Sequence, residues 1–179
     1  FIGSASEILT RTGIYADGDI VMNTAVTIKN GPVTLEADAH CNKTGTWFIG
    51  LTGSLSTTNQ VLTVKAHDMV ILGPINSGLA ATHFLGCSGV SICLGNDGTS
   101  TRGQWRLSQA ELALLTSTNM SFTANDGDIS IYKVDIADTS SIDRIMTLET
   151  NGAGTIRFLE DSTFKTLHTA SDGNTHIFA

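Results

Sequence analysis

Two pairs of carboxylates stand in near-identical surroundings, Asp17 and Asp19 in Asp17-Gly18-Asp19-Ile20, and Asp126 and Asp128 in Asp126-Gly127-Asp128-Ile129. Hard oxygen ligands at that density are what Ca2+ takes, so these four are the candidate cation ligands and Ca2+ the one candidate cofactor. They lack the nonapeptide spacing of known Ca2+ β-rolls. Their recurrence inside glycine-containing turns points instead to turn building. Asp hydrogen-bonds its own backbone two residues on, and Gly supplies a positive φ.

Other chemistry is thinner. No Gly-x-Ser-x-Gly elbow, phosphate loop, dinucleotide fingerprint or His-Glu-x-x-His is present. His40, His67, His83, His168 and His176 show no partner pattern and read as surface or corner residues, and no catalytic residue is assigned. Cys41, Cys87 and Cys93 are an odd count, so the chain is not a disulfide scaffold, although one pair can close. Cys87 and Cys93 flank a short loop and are the candidate pair, provided Cys93 faces outward; a core-facing Cys93 packs as a small hydrophobe instead. No Cys-x-x-Cys or His-x-x-x-His pair supports a zinc site. Asn42-Lys43-Thr44 and Asn119-Met120-Ser121 are N-glycosylation sequons. Sugar at either would place the protein outside the cytosol.

The elements that must carry these residues repeat. Val33-Thr34-Leu35-Glu36-Ala37-Asp38, Leu62-Thr63-Val64-Lys65-Ala66-His67-Asp68 and Met120-Ser121-Phe122-Thr123-Ala124-Asn125 are versions of one phrase, with weaker copies starting at Met146 and Leu167. Aligned on the small residue, Ala37, Ala66, Gly95 and Ala124 are 29 residues apart, with Cys93-Leu94-Gly95 as the degenerate member. Apolar and polar residues alternate within the phrase. Leu35, Val64 and Phe122 therefore share an inward column, the small residues mark a corner, and Thr34, Thr63, Ser121 and Thr147 form an outward column that Ile92 interrupts. A strand-sized motif recurring every 20 to 30 residues is the signature of a solenoid, whose repeats bury a core only by stacking. An antiparallel meander alternates too, and Asn30-Gly31 and Asn151-Gly152 would suit its hairpins; the regular spacing favours the solenoid.

Ile20-Val21, Val26-Ile28, Val70-Leu72 and Ile129-Ile131 read as further short strands of each coil. One stretch departs from this pattern. Ser108-Gln109-Ala110-Glu111-Leu112 is rich in helix formers, and Ser108 with Glu111 makes a capping box, which predicts one or two helical turns near 108–115.

The chain of 179 residues can bury a core as a single domain, and its 25 threonines favour extended backbone. A net charge of −7, from 17 acidic and 10 basic residues, argues against nucleic-acid partners. No run of 18 apolar residues suggests insertion into a membrane. Both ends are apolar, with Phe1-Ile2 opening the chain and His176-Ile177-Phe178-Ala179 closing it, and neither resembles the polar cap of a free-standing solenoid. The expectation is a single segment, 1–179, of a larger protein.

Leu94-Gly95-Asn96-Asp97-Gly98, Leu107-Ser108-Gln109-Ala110-Glu111-Leu112, Met120-Ser121-Phe122 and Gly127-Asp128-Ile129-Ser130 together carry a resemblance. The stretch 94–131 resembles the repeats of very large secreted proteins of the filamentous haemagglutinin type. That resemblance implies a right-handed parallel β-helix, surface display or secretion, and adhesive or scaffolding work without catalytic residues. The expected fold class is therefore all-β, a right-handed parallel β-helix of about six to seven irregular coils with one short helical insertion. The expected function is that of an extracellular or cell-surface structural or adhesive segment, not an enzyme, with copies of itself, neighbouring subunits or glycans as partners. The alternative is a β-helical carbohydrate-binding or carbohydrate-active module, polysaccharide lyase-like; an ice-binding threonine face ranks below it.

Overall fold

The structure, a computed structural model, describes residues 6–8, 12–95 and 104–177. Phe1-Ile2, Phe178-Ala179 and Asn96-Asp97-Gly98, all invoked above, lie outside the described residues. Strands are numbered in chain order. The phrase forms one row: β2 (Thr12–Ala16), β5 (Val33–Ala37), β8 (Leu62–Ala66), β11 (Ala81–Gly86), β14 (Leu115–Asn125), β16 (Ile142–Asn151) and β18 (Leu167–Ser171). A second row holds β3 (Ile20–Met22), β6 (Thr46–Ile49), β9 (Asp68–Ile71), β12 (Ser91–Leu94), β13 (Gln104–Leu107), β15 (Ile129–Ile131), β17 (Ile156–Phe158) and β19 (Thr175–Ile177). A third holds β1 (Ser6–Ile8), β4 (Ala25–Ile28), β7 (Ser54–Ser56) and β10 (Ile75–Asn76).

Every strand pair among the described residues is parallel, which removes the antiparallel meander. The first and third rows are wings of one curled, open, eleven-stranded sheet, ordered β1-β4-β7-β10-β14-β11-β8-β5-β2, with β16 added to β14 and β18 to β16. The wings join through β14, where Leu115 and Thr116 pair with β10 and the residues from Asn119 onward pair with β11 and β16. The second row splits into a three-stranded sheet, β3-β6-β9, and a five-stranded one, β13-β12-β15-β17-β19. The described residues thus form an all-β, parallel, repeat-like structural module with one short helical segment.

The core is built by register. Ile14, Leu35, Val64, Phe84, Phe122, Leu148 and Thr169 stand opposite one another from strand to strand, and the middle five are fully buried. Parallel strands about 4.8 Å apart place like residues in contact, so one apolar position per repeat becomes a continuous column. Trp47 and Met69 on one side and Trp105, Ile92, Ile129 and Ile156 on the other bring the second row's inward residues to meet it.

The 29-residue alignment is half right. Val33 to Glu36 pair with Leu62 to Lys65 as expected. The next member is Thr82-His83-Phe84-Leu85-Gly86, not Cys93-Leu94-Gly95. The interval from Val64 to Phe84 is 20 residues and that from Phe84 to Phe122 is 38, which together equal two intervals of 29. A short coil followed by a long one imitates a regular repeat. Gly86 takes the small corner position opposite Ala66. Gly95 instead ends β12 at φ +87, where its N–H reaches Leu107 O at 2.7 Å and a Cβ would fall 1.9 Å from Tyr132 O.

The long coil contains β13 and the helical turn α1 (Gln109–Leu112), capped by Ser108 and Glu111 as the sequence predicts. Leu112 is buried, and Leu115, expected in the same turn, opens β14. β13 follows β12 in the chain but lies on its other side, between β12 and β9. No backbone ladder joins β13 to β9. Side chains bridge that seam: the Trp105 Nε1–H donates to His67 O at 3.0 Å, and the Ile71 N–H donates to Glu111 Oε1 at 3.3 Å.

Candidate functional site

The paired carboxylates occupy equivalent corners, and the second member of each pair plays the same role. Asp19 Oδ1 accepts from the Thr46 N–H at 2.8 Å, and Asp128 Oδ1 accepts from the Thr155 N–H at 2.9 Å, each reaching 27 residues along the chain to the next coil. Asp128 Oδ2 also receives the Arg157 guanidinium at 2.7 Å. Asp17 pairs with His40 at the surface, and Asp126 accepts from the Ser88 hydroxyl at 2.9 Å. A carboxylate just before a strand supplies the acceptor that a parallel ladder lacks at its end, which is why Asp-Gly-Asp recurs there. The two corners follow β2 and β14, four strand spacings or about 19 Å apart along the first row. Among the described residues no three His, Cys, Asp or Glu side chains gather as a metal site.

The disulfide joins Cys41 to Cys87, not Cys87 to Cys93. Cys93 stands opposite Arg106 and Ser130 on β12, in the second row, and is a buried free thiol. Burial pushes that thiol up, with the nearby Arg106 guanidinium pulling the other way. Cys41 lies in the loop after β5 and Cys87 directly follows β11, so the bond crosses the intervening β8 coil at its corner. The Cys41 loop is set by Asp38, which is fully buried at φ +59 and accepts from the backbone N–H groups of Asn42 and Lys43 at 2.7 and 2.8 Å. Sequence reasoning missed this pair because the two loops meet only once the β8 coil is in place between them.

The outer face of the phrase row is a polar column. Thr34, Thr63, His83, Ser121, Thr147 and His168 stand in register. The expected interruption by Ile92 is a misplacement: Ile92 is buried on β12, and His83 takes the position, with Nδ1 2.8 Å from Ser121 Oγ. Beside it runs Glu36, Lys65, Leu85, Thr123 and Glu149, with Lys65 3.4 Å from Glu36 and the Thr123 hydroxyl donating to Glu149 at 3.3 Å. The outer face of β3, β6 and β9 is apolar by contrast, with Val21, Phe48 and Val70 in register.

The last coil is the most open part of the described core. Among the described residues β18 pairs only with β16, and β19 only with β17. Ile177 is 76% exposed. With Phe158, Phe164 and Leu167 it lines an open cavity of about 340 Å3, rimmed by Glu160, Asp161 and Ser162. At the other end, among the described residues, β1 pairs only with β4, β2 only with β5, and β3 only with β6. Both ends present parallel strand edges in the first and second rows, and the third row has its edge, β1, at one end alone.

Comparison with protein-family models, with curated proteins and with solved structures finds no match to this chain. No helix among the described residues is long and apolar enough to cross a membrane.

Proposed function

We propose that this chain is a segment of an extracellular right-handed β-helix of six to seven coils, and that it acts structurally or adhesively through association with like coils. The observation that carries the reading is the correspondence of the two ends. Among the described residues the unpaired edges of β2 and β18 lie in one row, and those of β3 and β19 in another. A copy stacked head to tail continues both ladders, satisfies the edge N–H and C=O groups, and covers Ile177 and Leu167. Such an interface is heterologous, so it builds an open filament and not a closed dimer. The apolar face at Val21, Phe48 and Val70 and the polar columns beside Thr63 offer lateral contacts for neighbouring subunits or glycans.

Negative-stain electron microscopy of the protein from its native source tests this. Rods or fibres with an axial spacing near 4.8 Å, shortened by Ile177→Asp, support end-on stacking. Compact separate particles at high concentration, unchanged by that substitution, contradict it.

A further inference from the structure

Four asparagines use their side chains within the fold. Asn125 Nδ2 donates to Gly86 O at 3.1 Å, Asn151 Nδ2 donates to Asn125 Oδ1 at 2.9 Å, and the Asn59 and Asn76 carboxamides accept from the Leu79 and Gly78 N–H groups. These four build corners. Asn42 and Asn119 do not. Both are exposed, and neither carboxamide nitrogen has a bonding partner among the described residues. They are also the two asparagines with Thr or Ser two residues further on.

Their settings suit a bulky adduct. Asn42 sits on the loop that Asp38 fixes, between Cys41 and Lys43, both at positive φ, so its side chain leaves the corner outward. The Thr44 hydroxyl donates to Asn42 Oδ1, which holds hydroxyl and carboxamide together in the arrangement the sequon specifies. Asn119 lies where β14 passes from one wing to the other. The register there shifts, with Ser117 opposite Ile142 and Asn119 opposite Ile145, so the extra residue lies on β16, and Asn119 itself is exposed between the buried Ser117 and Met120. The adjacent Cys41–Cys87 bond is a second sign of an oxidising compartment.

We propose that Asn42 and Asn119 are N-glycan attachment sites. The inference rests on the extracellular reading for its compartment and adds the positions modified. The Asn Nδ2 attacks the anomeric carbon of an oligosaccharide carried on a lipid diphosphate. The N–C bond forms, the C–O bond to the diphosphate breaks, the diphosphate leaves with the electron pair, and a general base of the transferase takes the amide proton. The two sites stand at the two borders of the phrase row, so the sugars flank its Thr63–His83–Ser121 face and leave the coil ends clear for stacking.

The test is peptide mass spectrometry of the chain recovered from the cells that make it, with and without peptide N-glycosidase in heavy-oxygen water, and with disulfides mapped in the same sample. The expected result is enzyme-dependent conversion of Asn42 and Asn119 to labelled Asp, none at Asn125 or Asn151, and a Cys41–Cys87 cross-link. Each position stands or falls by its own peptide. Bare asparagines with the cross-link present overturn the glycan assignment while the oxidising compartment stands. Bare asparagines with both cysteines reduced overturn the glycan assignment and the extracellular reading together.

Discussion

Phe84 and Phe122 stack with ring centroids 5.1 Å apart and planes 11° from parallel, directly opposite one another on β11 and β14. The pair lies at the middle of the inward column, where both side chains are fully buried. It also spans the longest interval between successive members of that column.

Removing either ring therefore acts on the centre of the stack. Phe122→Ala should destabilise by about 3–5 kcal/mol, with a coupling to Phe84→Ala of about 0.5–1.5 kcal/mol in a double-mutant cycle, read from urea midpoints. Phe122→Asp buries an unpaired charge and should abolish the β-sheet circular dichroism signal at ambient temperature. An unchanged melting curve for Phe122→Asp would show that the inward column is assigned to the wrong face.

The Cys41–Cys87 cross-link closes a 46-residue separation. Loop-closure entropy sets its contribution at about 4 kcal/mol. Adding reductant should lower the melting temperature of the wild type and leave that of Cys41→Ser/Cys87→Ser unchanged. Equal melting with and without reductant would contradict the bond.

Cys93 gives a pH dependence of known sign. Its thiol is raised in the folded protein, chiefly by burial, so the unfolded chain loses its proton first as pH rises. Stability from this group is full below the ordinary thiol range and declines through alkaline pH up to the folded pKa. Chemical denaturation across that range should show the decline in wild type and a weaker one in Cys93→Ala. The thiol should also resist alkylation until the chain unfolds.

Glu111 does two jobs: Oε2 accepts from the Ser108 N–H at 2.9 Å to close the capping box, and Oε1 accepts from Ile71 across the β9–β13 seam. Glu111→Ala should cost about 1–3 kcal/mol, more than Ser108→Ala, which removes a cap alone. The comparison is read from denaturant midpoints. Equal losses would place the whole effect in the cap.

Much of the architecture was legible in the sequence because period-two alternation survives in the copies at Val33, Leu62 and Met120. Leu35 and Val64 could be paired by eye, as could the capping box at Ser108 and Glu111. The fourth member was not legible, because Thr82-His83-Phe84-Leu85-Gly86 carries Thr at an inward position. That hydroxyl is tolerated in the core only through Ser77, whose Oγ lies 2.8 Å from it. Without Phe84, the 20- and 38-residue coils average to 29 and draw Cys93 into the wrong row. The acidic turns were visible as copies, but their acceptors at Thr46 and Thr155 depend on which coil lies above, information held in register and not in spacing.

The parallel register is tested most directly by nuclear Overhauser contacts in isotopically labelled protein. The structure requires cross-peaks between the Phe84 and Phe122 rings and between the Leu35 and Val64 methyl groups. Contacts of Phe122 or Val64 with Cys93, as an unbroken 29-residue stack would give, or an antiparallel Hα–Hα pattern, would contradict it.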